Sequence, residues 1–287
     1  MPAVVDSRIV EVKGLRLHVS VQGEGPPLLL INGLGGLIRS FDPLRAELQD
    51  YCTITLDVPG IGKSQRPESP LRLPKHADII AELLDKLGLQ RVDLFGVSWG
   101  GALAQEFALR HPDRVRRLIL AATSAGPVLL MQPVGVLAFI GPGRKTSQSV
   151  GAAQAGPGRN SLRGLLRAGS VRRMLSLSTG AYYHQLRAVL GWTSLMRLWR
   201  LRMPTLILVG EQDPVTCPYN ARILHRAIRG STLEVLPGEG HFFIITSPGE
   251  TAEAIRGFLK NSPRLLAQLA PGNKARQRTA GGAKIPG

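Results

Sequence analysis

The sequence predicts an α/β fold, a mostly parallel, doubly wound sheet with a helical segment inserted between its strands. Three observations predict it. All-apolar runs such as Leu28-Leu29-Leu30-Ile31 and Leu206-Ile207-Leu208-Val209 suit strands that helices cover on both faces. Stretches rich in helix formers alternate with those runs, as parallel strand crossovers require. Between one such strand and one such helix lies Gly96-Val97-Ser98-Trp99-Gly100-Gly101, a serine set among glycines at a strand-to-helix turn.

Taken in order, Ile9 to Val12 and Leu15 to Ser20 read as strands joined at Lys13-Gly14, a hairpin at a sheet edge. Leu28 to Ile31 is the first buried strand. A helix from about Phe41 to Leu48 and a strand from Thr53 to Leu56 follow. His76 to Leu87 reads as a helix ended by Gly88. Next come the strand Arg91 to Phe95, the helix Ala102 to Arg110 and the strand Val115 to Ala121.

The rhythm breaks at Ser124-Ala125-Gly126-Pro127. From there the chain is rich in Gly, Ser and Arg, with helical patches at Leu162 to Ala168 and Tyr182 to Leu190, until Thr205 to Gly210 restores the sheet. Leu233 to Leu236 adds a strand, and Ala252 to Lys260 closes with a helix. The expected organisation is therefore a core of residues 1–124 and 202–262, a helical lid at 125–201, and a basic, disordered tail at 263–287.

Composition narrows the functional class. No run reaches the ~18 apolar residues of a membrane span; Val128 to Ile140 comes nearest and is broken by Gln132, Pro133 and Gly135. Met1 to Asp6 lacks a basic region followed by an apolar one, so no signal peptide is expected and the reading is cytoplasmic. Cys52 and Cys217 show no metal or disulfide spacing and read as buried, inert thiols. The 36 basic and 20 acidic residues leave a net charge of +16, and no Asp or Glu occurs between Asp113 and Glu211. That charge fits either a solvated Arg-rich surface or attraction to an anionic partner. Nucleic acid is not expected, because no reader motif accompanies the charge.

G-x-S-x-G at a strand-to-helix turn is the nucleophile elbow of α/β-hydrolases. The pattern alone is weak, with roughly 0.2 chance matches expected in a chain of this composition, and its context carries the reading. A serine hydroxyl needs a histidine base, itself oriented by a carboxylate, and in this fold the order along the chain is Ser, acid, His. His18, His76, His111, His184 and His225 read as structural or surface residues. His241 follows the last strand in the Gly-rich loop Pro237-Gly238-Glu239-Gly240-His241-Phe242, at the sheet edge where ligands bind, and is the expected base. Asp213, in Gly210-Glu211-Gln212-Asp213-Pro214, is the expected acid; Glu211 is its rival, and Glu239 reads as facing solvent. The backbone N–H groups of Trp99 and of Leu34, in Asn32-Gly33-Leu34-Gly35-Gly36, are the expected oxyanion donors. Gly60-Ile61-Gly62-Lys63-Ser64 imitates the end of a phosphate-binding loop, but Asp57 stands where that motif needs glycine, so Asp57-Val58-Pro59-Gly60 reads as a structural turn. The expected chemistry calls for no cofactor and no metal.

Asp57 to Ser64, Gly96 to Gln105, Leu120-Ala121-Ala122-Thr123, Tyr182 to Leu186, Leu190-Gly191-Trp192-Thr193-Ser194 and His241-Phe242-Phe243-Ile244 together resemble the intracellular depolymerases of medium-chain-length poly(3-hydroxyalkanoate). The resemblance spans about residues 10–260. It implies a serine esterase on cytoplasmic storage granules that degrades a hydrophobic polyester to 3-hydroxyacids, with Ser98, Asp213 and His241 on the triad positions. Val128 to Ile140, Trp192 and Trp199 are then either a surface for the polymer or packing between lid and core. The cationic lid is expected to meet an anionic granule coat. A general carboxylesterase or C–C bond hydrolase acting on soluble substrates is the rival on the same fold, and a non-catalytic granule-binding protein the rival of another class.

Overall fold

The computed structural model describes the backbone of residues 5–126 and 179–269. Most of the expected lid (residues 127–178), with Val128 to Ile140 and Leu162 to Ala168, lies outside the described residues, as does the tail from 270 onward.

Eight strands form one sheet: β1 (Val5–Val12), β2 (Leu15–Gln22), β3 (Pro27–Ile31), β4 (Cys52–Leu56), β5 (Val92–Val97), β6 (Val115–Ala121), β7 (Thr205–Gly210) and β8 (Thr232–Leu236). Their spatial order is β1-β2-β4-β3-β5-β6-β7-β8. The β1–β2 hairpin sits at one edge, and β2 is antiparallel to both β1 and β4. The remaining neighbours are parallel. This is the expected mostly parallel sheet with an edge hairpin.

The apolar runs are buried on both faces because successive side chains point opposite ways. Leu29, Ile31, Leu94, Leu118 and Ile207 face a layer containing α2 (Leu73–Lys86) and α3 (Trp99–Arg110), through Leu83, Leu103 and Phe107. Leu28, Leu30, Phe95, Ile119 and Leu206 face the opposite layer, built from α1 (Asp42–Glu47) and the last helix Pro248–Leu269 through Leu44, Ile255 and Phe258. Each fully buried Leu or Phe contributes about 1.5–3 kcal/mol relative to exposure.

Some boundaries differ from the sequence expectation. α2 begins at Leu73, with a proline in its first turn, so His76 lies inside the helix rather than at its start. The last helix runs to Leu269, so residues 263–269 continue it rather than begin the tail. The chain returns from the insertion as the helix Thr179–Val189, followed by the turn Leu195–Arg200. That region packs on the α2–α3 layer through Ala188, Trp192 and Leu198.

The chain leaves β3 for β4 on one side and then crosses to β5 on the other. The loops after β3 and β5 therefore diverge at one point of the sheet edge, the place where open α/β sheets form their crevice. The loops after β7 and β8 open on the same edge.

Candidate active site

Ser98 joins β5 to α3 with φ +54° and ψ −117°, on the side of backbone space that side chains other than glycine rarely occupy. Such strain costs on the order of 1–3 kcal/mol and persists only where the surroundings impose it. Here they do. Ser98 N–H donates to Ala121 O at 2.9 Å, and Ser98 O accepts Gly101 N–H at 2.9 Å and the Thr123 hydroxyl at 2.8 Å. Gly100 lets α3 start hard against β3, since a Cβ there would stand 2.3 Å from Ile31 O. The result presents the Ser98 hydroxyl above the N-terminus of α3, where negative charge is favoured.

His241 follows β8 and Asp213 follows β7, and the structure brings both to Ser98. His241 Nε2 lies 3.1 Å from Ser98 Oγ, and His241 Nδ1 lies 2.8 Å from Asp213 Oδ2. Asp213 accepts three further hydrogen bonds: Val215 N–H at 2.8 Å, Thr216 N–H at 2.9 Å and the Thr216 hydroxyl at 2.7 Å. Burial pushes the Asp213 carboxyl up, but the facing His241 imidazole and the Thr216 donors outweigh it, so its pKa lies below the ordinary value. Asp213 and His241 are both 3% exposed. A charged acid held so firmly fixes one imidazole tautomer, with Nδ1 protonated and Nε2 free to accept the serine proton.

Leu34 and Trp99 flank the hydroxyl from the two diverging loops. Gly33 brings the first loop against the second, since a Cβ there would lie 3.3 Å from Ser98 Cβ. Within the loop, Gly36 N–H donates to Gly33 O at 3.1 Å and Asn32 Nδ2 to Leu37 O at 2.7 Å. No hydrogen bond to a described residue competes for the Leu34 or Trp99 N–H. The crevice beside them is lined by Leu34, Val97, Ser98, His241, Phe242, Ile244 and Ile245. Apolar walls around one hydroxyl and one imidazole suit an apolar acyl group next to the Ser98 hydroxyl.

The remaining candidates are placed elsewhere. Glu211, the rival acid, is exposed and accepts Gly238 N–H at 2.9 Å. Glu239 does not face solvent: it is 5% exposed and its carboxylate accepts the Thr246 and Ser247 hydroxyls at 2.5 Å each, turned inward because those donors lie beneath the loop. His111 meets Asp78 at 3.2 Å and His225 meets Ser231 at 3.0 Å. Trp192 is packing rather than surface: it is buried and its indole N–H donates to Glu106 Oε2 at 2.9 Å. Trp199 is exposed. Cys52 and Cys217 are free and only half-buried, and burial pushes the Cys52 thiol up. Among the described residues no helix is long and apolar enough to cross a membrane.

Ser, His and Asp meet a second time, and the contrast is instructive. Ser7 Oγ lies 2.8 Å from His18 Nε2, and His18 Nδ1 lies 2.8 Å from Asp57 Oδ2. Asp57 also accepts the N–H groups of Ile38 at 2.9 Å and Lys63 at 3.1 Å. Ser7, however, stands in mid-strand on the edge hairpin, with no helix N-terminus behind it. These contacts tie the hairpin to the Asp57 turn.

Two residues of the site escaped the sequence reading. Thr216 could have been found, because a threonine three positions after a candidate acid is a common way to satisfy a buried carboxylate. Gln185, on the helix Thr179–Val189, carries no local signal: its Oε1 accepts Gly35 N–H at 2.8 Å and its backbone carbonyl accepts the Trp99 indole N–H at 2.8 Å.

Comparison with known proteins agrees with this architecture. Residues 26–248 match the model of a family described as alpha/beta hydrolase fold. The chain is 36% identical over 271 residues to a poly(3-hydroxyalkanoate) depolymerase from Ectopseudomonas oleovorans, covering 91% of this chain and 94% of that protein. A thermophilic esterase from Thermogutta terrifontis superposes with a TM-score of 0.77 at 26% identity, covering 90% of this chain and 99% of the other. The enol-lactonase from Burkholderia xenovorans LB400 superposes with a TM-score of 0.76 over 88% and 100% of the two chains; at 23% identity that likeness is one of fold.

Proposed function

We propose that this chain, which belongs to the alpha/beta hydrolase fold family and to its poly(3-hydroxyalkanoate) depolymerase-like branch, is a serine ester hydrolase that degrades medium-chain-length poly(3-hydroxyalkanoate) to 3-hydroxyacids. The observation that carries the reading is the 3.1 Å approach of Ser98 Oγ to His241 Nε2, with Asp213 on the far side of the imidazole. The 36% identity to the Ectopseudomonas oleovorans depolymerase and the apolar crevice support the choice of substrate.

In this reading Ser98 Oγ attacks the ester carbonyl carbon while His241 Nε2 takes the hydroxyl proton. The charge that gathers on the carbonyl oxygen is held by the Leu34 and Trp99 N–H groups. Collapse of the tetrahedral species breaks the bond to the leaving oxygen, which takes the proton from His241. Water then enters, gives a proton to His241 and attacks the acyl-serine; as the acyl–Oγ bond breaks, His241 returns that proton to Ser98 Oγ and the acid leaves. Asp213 stays ionised throughout and steadies the imidazolium. Leu34, Val97, Phe242, Ile244 and Ile245 receive the apolar side chain of the monomer.

We place the enzyme on cytoplasmic storage granules, its net charge of +16 meeting an anionic coat. Binding to isolated granules then weakens between about 50 mM and about 500 mM salt; unchanged binding removes the electrostatic part of this reading. The main test is release of 3-hydroxyacids from purified granules, with Ser98→Ala abolishing it while leaving the fold intact. Turnover of small soluble esters without release from polymer would reassign the protein as a general carboxylesterase. Turnover surviving Ser98→Ala would remove the nucleophile.

A further inference from the structure

We propose that Gln185 is a positioning residue for the oxyanion donors, so that the pair is assembled only when the helix Thr179–Val189 is docked on the core. The proposal rests on the reading of Ser98, Leu34 and Trp99 given above.

Gln185 touches both donor-bearing segments at once. Its side-chain Oε1 accepts Gly35 N–H at 2.8 Å, and its backbone oxygen accepts the Trp99 indole N–H at 2.8 Å. Leu34 thus sits between Gly33, pressed against Ser98, and Gly35, held by Gln185. Holding the Gly35 N–H fixes the peptide plane that follows Leu34 and so restricts the backbone on that side of the donor, as Gly33 restricts it on the other. Gly35 itself has φ +71°, and the turn closed around it by Gly36 N–H on Gly33 O leaves the Gly35 N–H to an acceptor outside the loop. An external anchor is what such a loop needs to keep a donor aimed.

The state of the Gln185 amide strengthens the case. The residue is 1% exposed, and its Nε2 has no hydrogen-bond partner among the described residues. A leucine or methionine would fill that volume without burying an unpaired amide nitrogen, and buried polar groups without partners are rare. What the glutamine adds there over an apolar side chain of similar size is its oxygen, which the Gly35 N–H uses. The carrier of that oxygen is the returning helix, which enters the core alongside Trp192 and Ala188. The returning helix therefore reaches the site by shaping the donors.

The experiment compares Gln185→Met, which keeps the volume and removes the acceptor, with Gln185→Glu, which keeps an acceptor oxygen. Both are assayed on a soluble p-nitrophenyl octanoate and with a fluorophosphonate probe of Ser98. We expect Gln185→Met to lower kcat about 10- to 100-fold, below the full loss of a donor, with KM within about twofold. The rate of phosphonylation falls in step, and Gln185→Glu returns kcat to within about threefold of the parent protein. Should Gln185→Met fail to fold, Gln185→Ala takes its place in the comparison. A kcat for the acceptor-free variant within about threefold of the parent overturns the proposal, as do equal losses in the two variants or a loss confined to KM. Failure of the underlying reading shows separately, as absent turnover in the parent protein or turnover that survives Ser98→Ala.

Discussion

The Thr216 hydroxyl donates at 2.7 Å to Oδ2 of Asp213, the same oxygen that faces His241 Nδ1 at 2.8 Å. Two donors on one oxygen leave the carboxylate no freedom to turn away from the imidazole. Thr216→Val keeps the shape and removes one donor, while the backbone N–H groups of Val215 and Thr216 still hold Oδ1. We expect kcat/KM on a soluble ester to fall by about 3- to 10-fold, corresponding to about 1 kcal/mol. A loss as large as that from Asp213→Asn would mean that Thr216 itself takes part in the chemistry.

Asp213→Asn keeps the geometry but presents an amide where the imidazole N–H needs an acceptor. The imidazole is then free to adopt the wrong tautomer, and kcat should fall on the order of 10³- to 10⁴-fold. Because the Asp213 pKa is held below its usual value, its ionised state adds stability above the ordinary carboxylate range. That contribution is lost as pH falls through its lowered folded-state pKa. Single-turnover kinetics and acid titration of the fold check the two halves. Retention of more than a few per cent of kcat would contradict the first.

Glu106 is 2% exposed, and its Oε2 accepts both the Trp192 indole N–H and Arg197 Nη2 at 2.9 Å. Glu106→Leu leaves a buried indole N–H without an acceptor and strips a half-exposed guanidinium of its partner. We expect a loss of about 2–4 kcal/mol in urea unfolding, with kcat for a soluble ester changed far less. Glu106→Gln, which keeps one acceptor, should lose less than half as much.

His76 lies edge-on to the Trp99 indole with ring centroids 5.4 Å apart. Burial, reinforced by nearby His184, pushes its pKa down to about 4. An unfolded imidazole titrates near ~6.5, so between those values the unfolded chain binds a proton that the folded chain refuses. Stability is therefore full above about pH 6.5 and declines toward about pH 4, by up to about 3 kcal/mol. Urea midpoints measured across that window should slope less in His76→Phe than in the parent. Identical slopes would mean that another group carries the acid sensitivity.

Much of this was legible before any coordinates. Apolar runs placed the central strands β3 to β7, because a strand buried on both faces tolerates little else, while the more exposed β1, β2 and β8 were legible from their β-like composition. Ser98, Asp213 and His241 were legible because chain order and a shared sheet edge constrain them. What was not legible depends on partners distant in sequence. Glu239 read as solvent-facing because nothing local announces the Thr246 and Ser247 hydroxyls beneath it. Trp192 could be packing or surface until Glu106, on a different helix, was seen to receive its indole. The second Ser–His–Asp chain, at Ser7, His18 and Asp57, shows the converse. Three residue types at good distances do not make a reactive centre without a strained turn and free N–H donors.

The carbonyl of Ala125, where the chain departs from the sheet, accepts Ser194 N–H at 2.8 Å and the Thr193 hydroxyl at 2.8 Å, where the chain comes back. The excursion is thus cinched at its base like the neck of a purse. The two stretches of chain that meet at Ala125 are fixed to each other beside the core, and the elbow below them inherits that fixed frame.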